Sequence, residues 1–222
     1  MNRKLGSFVK YGFLVIASIL SVFPLVWMII AATNKSVDVI AGKLTLGTNL
    51  VENYKNLVSL QPVWSSFGNS CKYSLLVTVV ALVISSMAGY AFEVYRSKWK
   101  ELIYAIVLMT MMVPFVALMI PLFQMYSSAG LLNKAVGFML PSIATPLLIM
   151  MFRTGAKSFP KEIIEAARID GLGEIRIFFQ MFMPVTKSTY AAAAVVTFMN
   201  AWNNYLWAKV IMSTDQTQTM PM

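Results

Sequence analysis

The acidic side chains Glu162, Glu165, Asp170 and Glu174 stand close together in the chain, and paired carboxylates are the raw material of general acid–base chemistry. Here they alternate with Lys161, Arg168 and Arg176, as charges do on the surface of a helix. The sequence contains no histidine, which removes the commonest general base and the commonest metal ligand. The lone cysteine, Cys71, has no partner for an intrachain disulfide. The 17 methionines, without Cys or His beside them, are expected to fill gaps between helices and not to carry metal. These residues define no catalytic centre, no metal centre and no cofactor site.

A second group of polar residues stands in an apolar setting. Thr197, Asn200 and Asn204 fall at i, i+3 and i+7, a polar stripe along one helix face beside Ala191 to Ala194. Two readings stay open: a hydrophilic lining for a passage, or hydrogen bonds between packed helices. Trp202, Tyr205 and Trp207 nearby are expected to form an interfacial aromatic belt more than a stacking platform.

The elements that position these residues are set by composition. Hydrophobic residues make up 58% and charged residues 12% of the chain, with a mean hydropathy of +0.69. Soluble domains carry about twice that charged fraction. Five charge-free runs, at about 11–32, 73–92, 102–123, 135–152 and 189–207, approach the ~20 residues needed to cross a bilayer as a helix. Being apolar all round, they exclude a barrel of alternating strands. The expected fold is all-α, a polytopic helical membrane protein. Pro114 and Pro121 in the third run are candidate hinges or local kinks. The net charge of +9 forms no nucleic-acid patch, because the basic residues sit at the ends of the apolar runs.

Orientation follows from those residues. An inward N-terminus puts Arg3, Lys4, Lys10, Arg96, Lys98, Lys100, Arg153, Lys157, Lys161, Arg168, Arg176 and Lys187 on the cytoplasmic side, twelve of the 18. The other six, Lys35, Lys43, Lys55, Lys72, Lys134 and Lys209, then face outward. That bias is the positive-inside pattern. The expected partition is a cytoplasmic tail 1–10, a transmembrane domain 11–212 and an outer segment 213–222. The first outer loop, about 33–68, carries a helix-like stretch at 51–60. The only long cytoplasmic connection is 153–187, and a loop of that length usually has a task.

Within it, Ser158 is a candidate N-cap, Pro160 suits a first turn, and Lys161–Ile169 reads as a helix of two to three turns. Ile163, Ala166 and Ala167 share one expected face, with Glu162, Glu165 and Arg168 on another. Gly171 would end the helix in a left-handed conformation. A second short helix from residue 173 or 174 would offer Ile175, Phe178, Phe179 and Phe182, and Pro184 would open the next span. Small alanines rimmed by charge make a docking knob.

This segment resembles the signature loop of binding-protein-dependent ABC importer permeases, whose pattern is Glu-Ala-Ala, three residues, Gly, nine residues, Ile, one residue, Leu-Pro. Glu165, Ala166, Ala167, Gly171 and Pro184 match at that spacing, and Met181 and Met183 replace the Ile and Leu. The resemblance implies that Glu165, Ala166, Ala167, Asp170, Gly171 and Pro184 dock on a separate ATPase subunit. Residues 159–171, Asn53-Tyr54, Asn69-Ser70 and residues 200–207 are similar to the carbohydrate-uptake branch, in particular the smaller partner of a maltose-type pair. It further implies a second permease subunit, an extracytoplasmic solute-binding protein, lipid as surroundings, and a prokaryotic cytoplasmic (inner) membrane. Family members carry a sixth span after the Thr219-Met220-Pro221 lead-in, so truncation is expected here. Two rival functions are an ion-gradient-driven secondary transporter and an inactive truncated membrane scaffold. The first would need ionisable groups in mid-span, where the sequence has none.

Overall fold

The computed structural model describes residues 3–214 and 216–222. Met1 and Asn2, at the head of the expected tail 1–10, and Asp215, within the expected outer segment 213–222, lie outside the described residues. The described residues are mostly helical, with no strand among them. They form two compact units, Met1–Val63 and Trp64–Met222.

The first unit is built on α1 (Arg3–Thr33), which runs through Pro24 without a break and carries no charge from residue 11 onward. Short helices α2 (Ser36–Ile40) and α3 (Leu50–Leu60) follow, the latter where the helix-like stretch 51–60 was expected. Asparagine side chains tie the connection to the end of α1. Asn53 donates to the carbonyls of Ala32 and Asn34, at 2.8 and 2.9 Å, and Asn34 donates to Thr45 at 2.7 Å. Carbonyls left open at a helix end need such partners.

The second unit packs around α4 (Val63–Val94), 32 residues and about 48 Å long at 1.5 Å per residue. Ser66, Ser70, Ser74, Ala81, Ser85, Ser86 and Gly89 are buried along it, small residues that let neighbouring helices come close. One close approach is at Gly89, where a Cβ would lie 2.7 Å from both the Arg153 nitrogen and the Phe152 Cβ.

The remaining apolar runs do not become straight helices. The third is α5 (Lys98–Met109) with a 3-10 turn at Thr110–Met112, then α6 (Phe115–Ser128), the two halves bent by 101°. The fourth is α7 (Ala135–Met139) with a turn at Leu140–Ser142, then α8 (Pro146–Lys157), bent by 52°. Each break falls at an X–Pro step. Val113 and Thr145 are extended, as residues before proline must be, and Pro114 and Pro146 then start the next helix without an N–H to satisfy. Of the two candidate kink sites, Pro114 breaks the helix and Pro121 is carried inside α6. After α9 (Lys161–Ile169), α10 (Glu174–Ile177), a π-turn at Phe178–Phe182 and α11 (Met183–Val185), the fifth run forms α12 (Lys187–Trp202) and α13 (Tyr205–Ile211). Among the described residues, two helices are long and apolar enough to cross a membrane alone, or up to four spans are if each bent pair counts as one.

Three apolar clusters hold this unit. One gathers Tyr73, Val77, Phe138, Ala201, Trp207 and Ile211. Trp207 is fully buried there, edge-on to Tyr126 at 5.3 Å, with its indole N–H directed at the Gly137 carbonyl at 3.4 Å. This corrects its expected place in an interfacial belt: the break before α13 turns the ring into the core. A middle cluster joins Ala81, Leu148, Phe152 and Ala193, and a third surrounds α9. Residues 213–214 and 216–222 are tied back to Asn133 and Asn69. Asn133, in the left-handed region at φ 57°, accepts from the Ser213 N–H at 2.7 Å, and Asn69 donates to the Gln216 and Gln218 carbonyls.

The contact at Gly89 yields a test. Gly89→Val must push α4 off the α8 backbone and should destabilise the protein by about 1–3 kcal/mol or more, read as a lower melting temperature in detergent. Gly68→Ala, which meets open space inside the same helix, should not destabilise it.

Candidate functional site

Helix α9 has the bounds its sequence predicts, but its start differs. Pro160, extended at ψ 128°, is the N-cap. Ser158 closes α8 instead, its N–H donating to the Gly155 carbonyl at 3.2 Å. The Phe159-Pro160 step forces this, because the residue before a proline leaves the helical region.

The end of α9 is a full Schellman turn. The Leu172 N–H donates to Ala167 and the Gly171 N–H to Arg168, at 2.9 and 3.0 Å, with Gly171 at φ +79°. Leu172 packs on the cluster that buries Ala167, the hydrophobic contact that accompanies such an end.

The inward face of α9 is Ile164 and Ala167, 4% and 3% exposed. This corrects the expected grouping of Ile163 and Ala166 with Ala167, since both of the former point outward. Ile164 and Ala167 pack with Ala156, Phe159, Ile177, Phe178, Phe182 and Tyr90. Tyr90 touches the Phe178 and Phe182 rings at 5.4 and 4.8 Å, within the range of favourable aromatic pairs. The π-turn aims these rings. It precedes Pro184, which has no N–H to return and whose ring would crowd the carbonyl four residues back in an ordinary turn. Pro184 therefore sits in α11, ahead of α12, and does not itself open the span.

Outward, α9 and its turn present Glu165, Ala166, Ile169, Asp170 and Gly171 together. Ile169 is 86% exposed, an apolar centre with Glu165 and Asp170 at its rim. Of the six residues assigned to docking, four share this face, while Ala167 faces inward and Pro184 lies apart.

Two polar ties escape the sequence reading. In the first, Glu174 accepts from Arg168 at 2.7 Å and from the Tyr95 hydroxyl, joining the loop to the end of α4. The Lys100 ammonium lies 5.0 Å from the Tyr95 ring centre. Arg168 foremost, then Tyr95, hold the Glu174 carboxyl below its ordinary range, while burial foremost raises the Tyr95 phenol. In the second, the Arg153 guanidinium reaches Glu93 at 3.3 Å and also Glu101, and lies 4.1 Å over the Tyr104 ring. Apart from Arg168 and Glu174, six residues apart, spacing carries no signal for these ties, since the other partners are 60, 52 and 79 residues apart. Between α9 and the ends of α4 and α8 lies a cavity of about 370 Å³, lined among others by Glu93, Lys157, Glu162, Glu165 and Arg168.

The polar stripe crosses a helix break. Thr197 is buried on α12 and donates to the Ala193 carbonyl at 2.7 Å. Asn204 lies beyond the end of α12 and caps α13, accepting from the Trp207 N–H at 3.2 Å. The three residues nevertheless line one small cavity of about 100 Å³, with Ser142 and Thr145 from the break before α8. Polar groups gathered where two interrupted helices meet are a recurring form of solute site in transporters.

An α-helical membrane bundle with a helix–turn–helix seated on the ends of its long helices is the architecture of a transport permease. Residues 81–222 match the family described as binding-protein-dependent transport system inner membrane component, and the chain belongs to it. It is 46% identical over 222 residues to the lactose transport system permease protein LacG of Rhizobium radiobacter, covering all of this chain and 81% of that one. It is 36% identical over 231 residues to the arabinooligosaccharides transport system permease protein AraQ of Halalkalibacterium halodurans, covering 82% of that protein. The sn-glycerol-3-phosphate transport system permease protein UgpE of Escherichia coli is 29% identical over 220 residues, 96% of this chain and 78% of that one. The fold is shared with a solved bacterial ABC transporter involved in the import of the acidic polysaccharide alginate, at a TM-score of 0.86 and 22% identity, covering 100% of this chain and 79% of that one. The protein is thus a membrane-embedded permease subunit and not an enzyme, the ATPase work falling to a partner. Permeases of this kind work with an ATPase, a second permease and a solute-binding protein.

The Glu174 tie makes stability depend on pH. Because the folded state lowers this carboxyl from its ordinary value of 4.5, its contribution is complete above that pH and is lost as pH falls through the depressed value. Glu174→Gln should lower the melting temperature at neutral pH and match the parent in acid. A pH-independent difference would contradict the assignment.

Proposed function

We propose that the chain is the membrane-spanning subunit of an ATP-driven importer for sugars or oligosaccharides, coupled to its ATPase through α9 and the turn at Gly171. The observation that carries the docking role is the two-sidedness of α9, with Ile164 and Ala167 buried and Glu165, Ala166, Ile169 and Asp170 displayed. A helix anchored on one face and free on the other is suited to a groove in a partner. The sugar class is supported by the lactose and arabinooligosaccharide relatives, which exceed the glycerol-3-phosphate relative in identity.

The N-terminus is cytoplasmic, supported by the twelve-to-six distribution of basic residues, and the membrane is the prokaryotic inner membrane. The tail is 1–10, the permease domain 11–212, and residues 213–222 lie outside, where a solute-binding protein delivers substrate. ATP binding draws two ATPase subunits together around the docking helices. The displaced α9 then tilts the spans and exposes the central path to alternate sides. Thr197, Asn200 and Asn204, with Ser142 and Thr145, line that path and offer hydroxyl and amide groups to sugar hydroxyls.

Glu165→Lys and Gly171→Pro should leave the protein in the membrane while weakening ATPase co-purification about thirtyfold or more, as loss of an interface hot spot does. Normal co-purification with sugar-stimulated ATP hydrolysis would refute the docking role. Asn200→Ala should raise the KM for sugar uptake about two- to tenfold, as for one lost hydrogen bond, with ATPase binding unchanged. An unaltered KM would leave Asn200 with helix packing alone.

A further inference from the structure

Helix α5 buries no residue along its length, yet it must move with the bundle if docking is to reshape the path. At its first turn the strongest hold is polar. Arg153 of α8 and Glu93 of α4 are 6% and 7% exposed, and the Arg153 fork divides between α4 and α5: Nε to Glu93 at 3.3 Å, a terminal nitrogen to Glu101. The Tyr104 ring of α5 lies under the same guanidinium at 4.1 Å and meets Phe92 of α4 at 5.4 Å. Arg96 adds a second positive charge on Glu93, so two carboxylates face two cations. One turn before Glu93, Gly89 brings the α4 backbone against the Arg153 nitrogen, so α4 and α8 already touch at this level. Glu93 also lines the cavity beneath α9.

We propose that Arg153 is a positioning residue for energy coupling: by gripping Glu93 and Glu101 at once, it locks the ends of α4, α5 and α8 into one body that α9 drives. This rests on α9 being the ATPase-docking helix. Motion enters through Ile164 and Ala167 to the ends of α4 and α8, and Arg153 passes it to α5. Without the grip, α5 and its continuation beyond Pro114 would lag behind. The device needs a planar fork that bonds two acceptors in fixed directions, which a lysine ammonium does not reproduce.

The test uses the complete transporter, with its ATPase, second permease and binding protein, in lipid nanodiscs. Spin labels replace exposed Trp99 and Ile175 in a Cys71→Ser background, and their separation is measured without nucleotide and after trapping with ATP and vanadate. In the parent the separation should stay the same in both states. Arg153→Lys keeps the charge balance and guards against misfolding, and on trapping its separation should shift beyond the width of the parent distribution. Arg96→Gln, which removes the half-exposed partner of Glu93, should behave as the parent. A shift in the parent, or none in Arg153→Lys, would overturn the proposal. Failure of the ATPase to co-purify with the unlabelled parent is a separate result, which sinks the docking reading itself.

Discussion

The burial of Ile164 and Ala167 against the ends of α4 and α8 is the contact on which the rest depends. In water an isolated nine-residue helix is marginal, because the first turn costs more than its few hydrogen bonds return. Two apolar side chains placed into an aromatic cluster supply what the backbone cannot, and they fix which face is left for a partner. The Schellman end and the Arg168–Glu174–Tyr95 tie then hold the helix against rotation. Packing and the proposed docking use opposite sides of the same two and a half turns.

Much of this was legible in the residues. The spacing from Glu165 to Gly171 and on to Pro184 is local, and local signals survive translation into structure: the bounds of α9, the left-handed glycine and the short following helix all appear where the pattern puts them. Apolar runs were also readable as membrane helices, and membership of the inner-membrane permease family agrees. The inward face of α9 was not readable, because Ile163 and Ile164 are chemically equivalent. Only the angle at which the helix leaves Pro160 decides between them.

Trp207 shows the same limit. An aromatic residue near the end of an apolar run is usually interfacial. Here the break at Asn203 and Asn204 reverses the preference, and the ring fills the space between Phe138 and Ile211. The tie between Glu93 and Arg153 was not legible for a related reason. Glu93 and Arg153 stand at the ends of their runs, where charges ordinarily meet water or headgroups. The backbone contact at Gly89 closes the helices over them, and a charge so enclosed must find its opposite.

Ending α9 at a left-handed glycine also sets a length. Nine residues at 1.5 Å each make a rod of about 13 Å, bounded by a proline at one end and a glycine at the other. Neither boundary can slide, since Pro160 cannot be absorbed into the helix interior and Gly171 reverses the chain. A partner groove that receives α9, as proposed, would have to be cut to that measure. If α9 seats in a partner as proposed, exchange of subunits between related transporters becomes a question of gauge, in which one inserted residue would rotate the far end by about 100° and bring the Arg168 guanidinium where Ile169 stands.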